Sequence, residues 1–95
     1  MFGWDPDKDE RNRLKHGVSF VEASSCFEDA QAIEIEDAKH SDRELRWIRI
    51  GRSATGRALV VAFTRRRQFE KEVVRIITAR QASSKERAAL ARQSD

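Results

Sequence analysis

The sequence predicts an α+β fold: two N-terminal helices, a four-stranded antiparallel β-meander and a C-terminal helix. Three observations point there. Helix-start signals stand at Asp5-Pro6, Ser19-x-x-Glu22 and Ser83-x-x-Glu86. Four β-rich runs lie between the second and third of these, separated by polar or glycine-containing turns. The apolar spacing changes from helical after Ser19 to alternating after Ala32. The two early helices are expected to cover one face of the sheet.

Asp5 can cap free N–H groups, and Pro6 is pre-set for the first helical position. That helix runs to about Lys15 or His16, with Gly17 as its left-handed stop. An acidic first turn and a basic last turn, with Arg13 and Lys15, suit the helix dipole. Ser19 and Glu22 read as a capping box for the second helix. Phe20, Ala23, Ser24 and Phe27 then fall at i, i+3, i+4 and i+7, on one face, and Glu28-Asp29 ends it.

Ala32–Glu36 alternates, with Ile33 and Ile35 on one side and Glu34 and Glu36 on the other, as in a half-buried strand. Asp37–Arg43 is a polar loop. Glu44–Ser53 is the second strand, and Ala54-Thr55-Gly56 is a turn, since glycine tolerates positive φ. Ala58–Thr64, the most hydrophobic run, reads as a central strand buried on both faces. Arg65–Lys71 is a charged hairpin tip, and Glu72–Ala79 a β-branched strand. Ser83-Ser84-Lys85-Glu86 is a second capping box opening the helix Ser84–Arg92, and Ala91–Asp95 is expected to fray. A short strand at Phe2–Trp4 can join the sheet. Ile33, Ile35, Trp47, Ile50, Leu59, Val61, Phe63, Val74 and Ile76 are the expected core.

Ninety-five residues make one domain, residues 1–95. With 39% hydrophobic and 37% charged residues, its core is small. Cys26 is alone, which rules out an internal disulfide and a cysteine-rich zinc module and fits a cytoplasmic location. Nothing near the N-terminus resembles a signal peptide, and no apolar run approaches the ~20 residues that span a bilayer. The charge is split. Residues 1–44 hold 6 Lys/Arg against 12 Asp/Glu, a net of −6; residues 45–95 hold 13 against 4, a net of +9. Arginine matches phosphate or carboxylate bidentately, so a sheet studded with it is expected to attract nucleic acid or an acidic protein.

Four local patterns coincide along the chain. The first is Trp4-Asp5-x-x-Lys8 with Asn12-x-x-Lys15-His16-Gly17-Val18-Ser19-Phe20. The others are His40-Ser41-x-x-Glu44-x-Arg46, Ile50-Gly51-x-Ser53-x-x-Gly56-Arg57, and Arg75-Ile76-Ile77-Thr78-Ala79-Arg80 with Glu86-Arg87 beyond. Together they resemble the BrnT family, the toxin half of a bacterial type II toxin–antitoxin pair. The resemblance implies a RelE-like fold and RNA cleavage that stops growth. It implies a ribbon-helix-helix antitoxin, BrnA, in a complex of two toxins and two antitoxins that contacts operator DNA only through the antitoxin. The tip Thr64–Glu72 departs from the family in being longer and more basic.

RNA carries its own nucleophile, the 2′-hydroxyl. Metal-free cleavage needs a proton acceptor, a proton donor and cations for the phosphorane. Lys15 or His16, with Glu44 and Arg46, are expected to transfer protons and orient; Arg75 and Arg80 are expected to hold the phosphate. Arg57, Arg65, Arg66 and Arg67 read as RNA contacts, and His40 as a further loop imidazole. Lys15 and His16 equally complement a helix C-terminus, Glu44 and Arg46 equally form a surface ion pair, and Arg75 equally pairs with Glu44 or Glu72. No metal or other cofactor is expected, because His40 with Asp37 and Asp42 makes a poor ligand set. Gly51-x-Ser53-x-x-Gly56 lies between antiparallel strands and opens no helix, so it is no phosphate loop. The competing reading is a non-catalytic module that binds RNA or an acidic protein.

Overall fold

Caps set the helix boundaries. The structure, a computed structural model, describes residues 1–93. Its helices are α1 (Pro6–His16), α2 (Phe20–Ser25) and α3 (Ser84–Arg92). Asp5 accepts a hydrogen bond from the Asp7 amide at 2.9 Å, and Gly17 ends α1 at φ 68°, where a Cβ would be strained. Ser83 and Glu86 form a complete capping box. At α2 the box is half made: Ser19 Oγ accepts from the Glu22 amide at 3.0 Å, but the Glu22 carboxylate turns elsewhere. Ala91 and Arg92, expected to fray, are helical. Ser94 and Asp95, the end of that expected tail, lie outside the described residues.

Five strands form one sheet in the order β1-β5-β4-β3-β2: β1 (Phe2–Gly3), β2 (Ile33–Glu36), β3 (Arg46–Arg52), β4 (Ala58–Gln68) and β5 (Lys71–Gln81). The expected antiparallel meander is β2 to β5. The sheet is nonetheless mixed and five-stranded, because Phe2 and Gly3 pair parallel with Val74 and Arg75. β3 starts at Arg46, which leaves Glu44 in the loop before it. The last hairpin also differs from expectation. Pairing continues to Gln68 and Lys71, and the turn is just Phe69 and Glu70, at φ 50° and 62°. Positive φ at both central residues suits the twist of a two-residue hairpin. The arginine triplet is therefore held on β4, its members alternating between faces.

Leu59, Val61 and Phe63 of β4, with Ile76 and Ala79 of β5, pack under Val18, Phe20, Ala23 and Cys26. The Phe27 ring stands edge-on to Phe63 and Phe2, with centroids 4.8 and 5.1 Å apart. Val60, Ala62 and Leu90 are buried outside this cluster, and α3 contacts β3. Of the expected core, Leu59, Val61, Phe63, Val74 and Ile76 are buried, and Ile33, Trp47 and Ile50 are half-buried. Ile35 is 51% exposed; β2 is an edge strand, and alternation on an edge does not ensure a cover. A 3₁₀ turn, Cys26–Glu28, follows α2 and lies close to β3. A Cβ on Gly51 would stand 3.1 Å from Ala32 Cβ and 3.2 Å from Cys26 O, so glycine permits that approach. Cys26 is fully buried, and burial pushes its thiol up to about 12.

Two polar anchors tie helices to the sheet. The buried Asn12 side chain donates to Val18 O and Ala79 O, each at 2.8 Å, and accepts from the Ala79 amide at 3.2 Å. It meets β5 beyond the reach of β1, satisfying the strand edge as a neighbouring strand would. Glu22 anchors α2 to the turn between β3 and β4. Its Oε2 accepts from Ser53 Oγ and Thr55 Oγ1 at 2.7 Å and from Arg57 Nε at 3.0 Å, and Oε1 takes Arg57 Nη2 at 2.5 Å.

Two outcomes are expected. Asn12→Leu leaves three backbone groups unpaired, and denaturant unfolding is expected to show a loss of about 3 kcal/mol or more, at about 1–3 kcal/mol per buried unpaired group. The second concerns acid. Arg57's hydrogen bond, helped by Ser53 and Thr55, holds Glu22 down from 4.5 to about 2. Its folded value lies below its unfolded one, so its stabilisation is complete above pH 4.5 and is lost as pH falls toward 2. Glu86, lowered chiefly by Arg80 to about 2, acts in the same window. Glu22→Gln is expected to lower the thermal midpoint at neutral pH and to flatten, not abolish, the acid decline. An unaltered acid decline in the variant would contradict the role given to Glu22.

Candidate active site

A β-bulge shapes the most featured part of the surface. Ala62 pairs with Thr78 and Phe63 with Ile76, so Ile77 faces no partner. Bulges re-aim side chains and strengthen local twist. Ile77 lines two cavities, of about 360 and about 300 Å3, and stands between them; side by side they make a grooved stretch of surface.

The first cavity lies against α1. Lys8, Arg11, Lys15 and His16 come from the helix, Ile77 and Thr78 from β5. Residues 8, 11 and 15 are at i, i+3 and i+7, hence on one helix face. Among the described residues, none of these three cations has an ion pair. Asn12 sits in the same wall, holding the basic face at the sheet edge.

The second cavity lies between the loop after β2 and strand β4. It is lined by His40, Asp42, Arg43, Glu44, Arg46 and Thr64, besides Ile77. His40 Nδ1 donates to Asp37 Oδ2 at 2.9 Å, which leaves Nε2 free to exchange a proton. Asp37 Oδ2 is also 3.6 Å from Arg46 Nε. Ser41 Oγ receives the Arg46 amide at 2.9 Å and donates to Asp37 O at 2.7 Å, which folds the loop over the start of β3. Glu44 is gripped by Arg66 at 2.8 and 3.1 Å. The Arg66 grip, with the nearby Thr64 hydroxyl and the charge of Arg75, lowers the Glu44 carboxyl below the ordinary range. Arg75 itself is half-buried and makes no ion pair among the described residues.

The expected site residues separate into two groups. Lys15, His16, Glu44 and Arg46 line the groove, and Arg75 pairs across the ladder with Thr64 at its wall. Arg57 and Arg80 are engaged within the fold. Arg57 closes the Glu22 anchor, and Arg80 grips Glu86 at 2.8 and 2.9 Å. Arg65 bonds Glu34 and lies over the Trp47 and Phe63 rings at 5.3 and 4.9 Å. Arg66 holds Glu44, while Arg67 and Glu72 line a smaller recess of about 170 Å3 with Arg65 and Arg66. Neither Glu44 nor Glu72 is within ion-pair range of Arg75. Lys8 belongs to the Trp4-Asp5-x-x-Lys8 pattern, but neither it nor Arg11 was among the expected site residues, although their spacing with Lys15 is visible in the sequence. Thr64 carries no sequence signal; only the strand register puts it in the wall. No three His, Cys, Asp or Glu side chains among the described residues come together as a metal site.

Comparison with known proteins agrees with this architecture. A family model described as the ribonuclease toxin BrnT of type II toxin–antitoxin systems matches residues 4–86. No curated protein sequence matches the chain. The crystal structure of the Brucella abortus ribonuclease toxin BrnT is similar with a TM-score of 0.63, covering 88% of this chain and 99% of that one at 24% identity. At that identity the structural likeness speaks for the fold: three helices on a five-stranded mixed sheet. The family model spans both cavities of the groove and the strands that carry them, and by that match the chain belongs to the BrnT ribonuclease toxins of type II toxin–antitoxin systems.

Proposed function

We propose that the chain is a RelE-like, metal-independent endoribonuclease of the cytoplasm, held silent by a BrnA-like ribbon-helix-helix antitoxin in a complex of two toxins and two antitoxins. The observation that carries this reading is the groove. Lys8, Arg11 and Lys15, and Arg75 across the ladder from Thr64, have no ion pair among the described residues and stand beside groups that move protons (His16, His40 and Glu44). The chemistry is transesterification. The 2′-oxygen attacks phosphorus, the bond to the 5′-oxygen breaks, and a 2′,3′-cyclic phosphate and a 5′-hydroxyl result. Glu44, kept ionised by Arg66 and so weakened as a base, suits the group that orients the 2′-hydroxyl better than the one that takes its proton. An imidazole suits delivery of a proton to the leaving oxygen. Lys15, Arg46 and Arg75 supply positive charge where the phosphorane forms. Arg80 reaches RNA only by releasing Glu86, and Arg65, Arg66 and Arg67 extend the contact surface along β4.

The direct experiment uses the purified chain, freed of antitoxin and incubated with RNA in excess chelator. Cleavage with a cyclic-phosphate end is expected, and none at a 2′-deoxy linkage. Arg75→Ala, Glu44→Ala and His16→Ala are expected to lose on the order of 100-fold in rate; Arg80→Ala is expected to lose less, since Arg80 is engaged by Glu86. Thermal melts of each variant separate lost chemistry from lost folding. If the folded variants keep full activity, or cleavage requires added divalent metal, the proposed chemistry is wrong.

Binding offers a second check. Affinity for RNA is expected to fall steeply with salt, since the groove cations release counterions. Lys8→Ala and Arg11→Ala are each expected to reduce that salt slope by about one. Antitoxin is expected to abolish RNA binding; an antitoxin that leaves it intact would exclude direct masking of the groove.

A further inference from the structure

Three side chains stand in one row across the sheet. Arg46 on β3 pairs in register with Thr64 on β4, and Thr64 with Arg75 on β5. Residues paired directly across strands project from the same face, close enough to act together. Thr64 is only 5% exposed, yet its Oγ1 has no hydrogen-bond partner. Arg46 Nε is buried and makes no hydrogen bond either; its ion-pair partner Asp37 Oδ2, at 3.6 Å, lies beyond hydrogen-bond reach. Glu44, whose oxygens are engaged by Arg66, lies near enough for the Thr64 hydroxyl to help hold its carboxyl down, but not at hydrogen-bond distance. Folding has thus buried two donors on paired strands that reach no acceptor at hydrogen-bond distance among the described residues, in the wall of the cavity that holds His40 and Glu44. A buried hydroxyl without a partner lowers stability, and a valine of the same shape would avoid that loss. Unpartnered donors flanked by guanidinium charge suit an oxyanion.

We infer that this row seats the scissile phosphate: Thr64 Oγ1 and Arg46 Nε donate to its non-bridging oxygens, with Arg75 alongside. The inference rests on the ribonuclease reading and adds Thr64 to it as a residue in contact with substrate. Thr64 is the only uncharged member of the row, so it can set the orientation of the phosphate without adding charge. A phosphate bound there shares the cavity with His40 and Glu44, next to the α1 cations beyond Ile77.

Thr64→Val and Thr64→Ser test the seat. Thr64→Val is expected to melt at or above the wild-type temperature while kcat/KM on RNA falls about 10–100-fold, the worth of one hydrogen bond to a charged group. Thr64→Ser is expected to recover most of that rate. A role confined to packing would produce the opposite order, with stability lost first. Substrates bearing a single phosphorothioate supply a second readout. Wild-type protein is expected to discriminate between the two diastereomers at the cleaved linkage, and Thr64→Val to lose much of that discrimination. Cleavage by Thr64→Val at the wild-type rate, or with undiminished discrimination, overturns the seat and leaves the ribonuclease reading standing. Wild-type protein that leaves RNA intact overturns both.

Discussion

One buried amide sets the geometry on which the groove depends. Asn12 meets β5 with both its oxygen and its nitrogen and also holds the chain at Val18, just after α1. No other side chain in α1 is buried, and Leu14 faces solvent at 82% exposure. The helix has almost no hydrophobic grip, so its position comes from this anchor and from the turn that follows it. Such a fixing is directional in a way that apolar burial is not. It orients one helix face toward the sheet edge and carries Lys8, Arg11, Lys15 and His16 with it. An all-apolar contact of the same area could have slid or rotated; the amide has one register.

Charge is organised by pairing across the chain. Glu22, Glu34, Asp37 and Glu44 come from the acidic first half, and their partners Arg57, Arg49 with Arg65, Arg46 and Arg66 come from the basic second half. Much of the sequence asymmetry is therefore satisfied inside the molecule. Arg49 shows how thoroughly: it donates to Glu34 and to the carbonyls of Cys26 and Asp29 while lying 5.0 Å from the Phe27 ring centre. Individual exposed pairs contribute little stability, but these forked contacts determine where β2, the 3₁₀ turn and the hairpins sit. The groove-lining cations without an ion pair among the described residues, Lys8, Arg11, Lys15 and Arg43, all come from the half whose net charge is negative. Net charge by segment is thus a poor guide to the field at the groove.

What was legible in the sequence was what local chemistry decides. Asp5-Pro6, Gly17 and Ser83-x-x-Glu86 mark helix ends because their effects act within a few residues. The alternation of Leu59, Val61 and Phe63 marks a buried strand for the same reason. The misplaced features all depend on distant partners. Ile35 alternates correctly but lies at an edge. The short strand expected at Phe2–Trp4 is present as Phe2–Gly3, but its parallel pairing has no local signal and follows from the edge that β5 offers. Phe69-Glu70 lacks the glycine or asparagine that usually announces so tight a turn. Glu22 satisfies the capping-box pattern, yet two hydroxyls and a guanidinium outbid the backbone amide. The groove was half visible: Glu44, Arg46, Lys15 and His16 stand out by type and spacing, whereas Ile77 and Thr64 acquire meaning only through the slip in register between β4 and β5.

Burial of the lone cysteine has a practical side. A thiol pushed up to about 12 holds almost no thiolate at neutral pH, and thiolate is the form that peroxides, disulfides and alkylating reagents attack. Cys26 is also sealed beneath the sheet. The Cys26 thiol is therefore chemically quiet while the protein is folded, and its unmasking would report unfolding. A cysteine introduced on the surface would be the sole addressable thiol, open to a fluorophore or a cross-linker without first removing the native one.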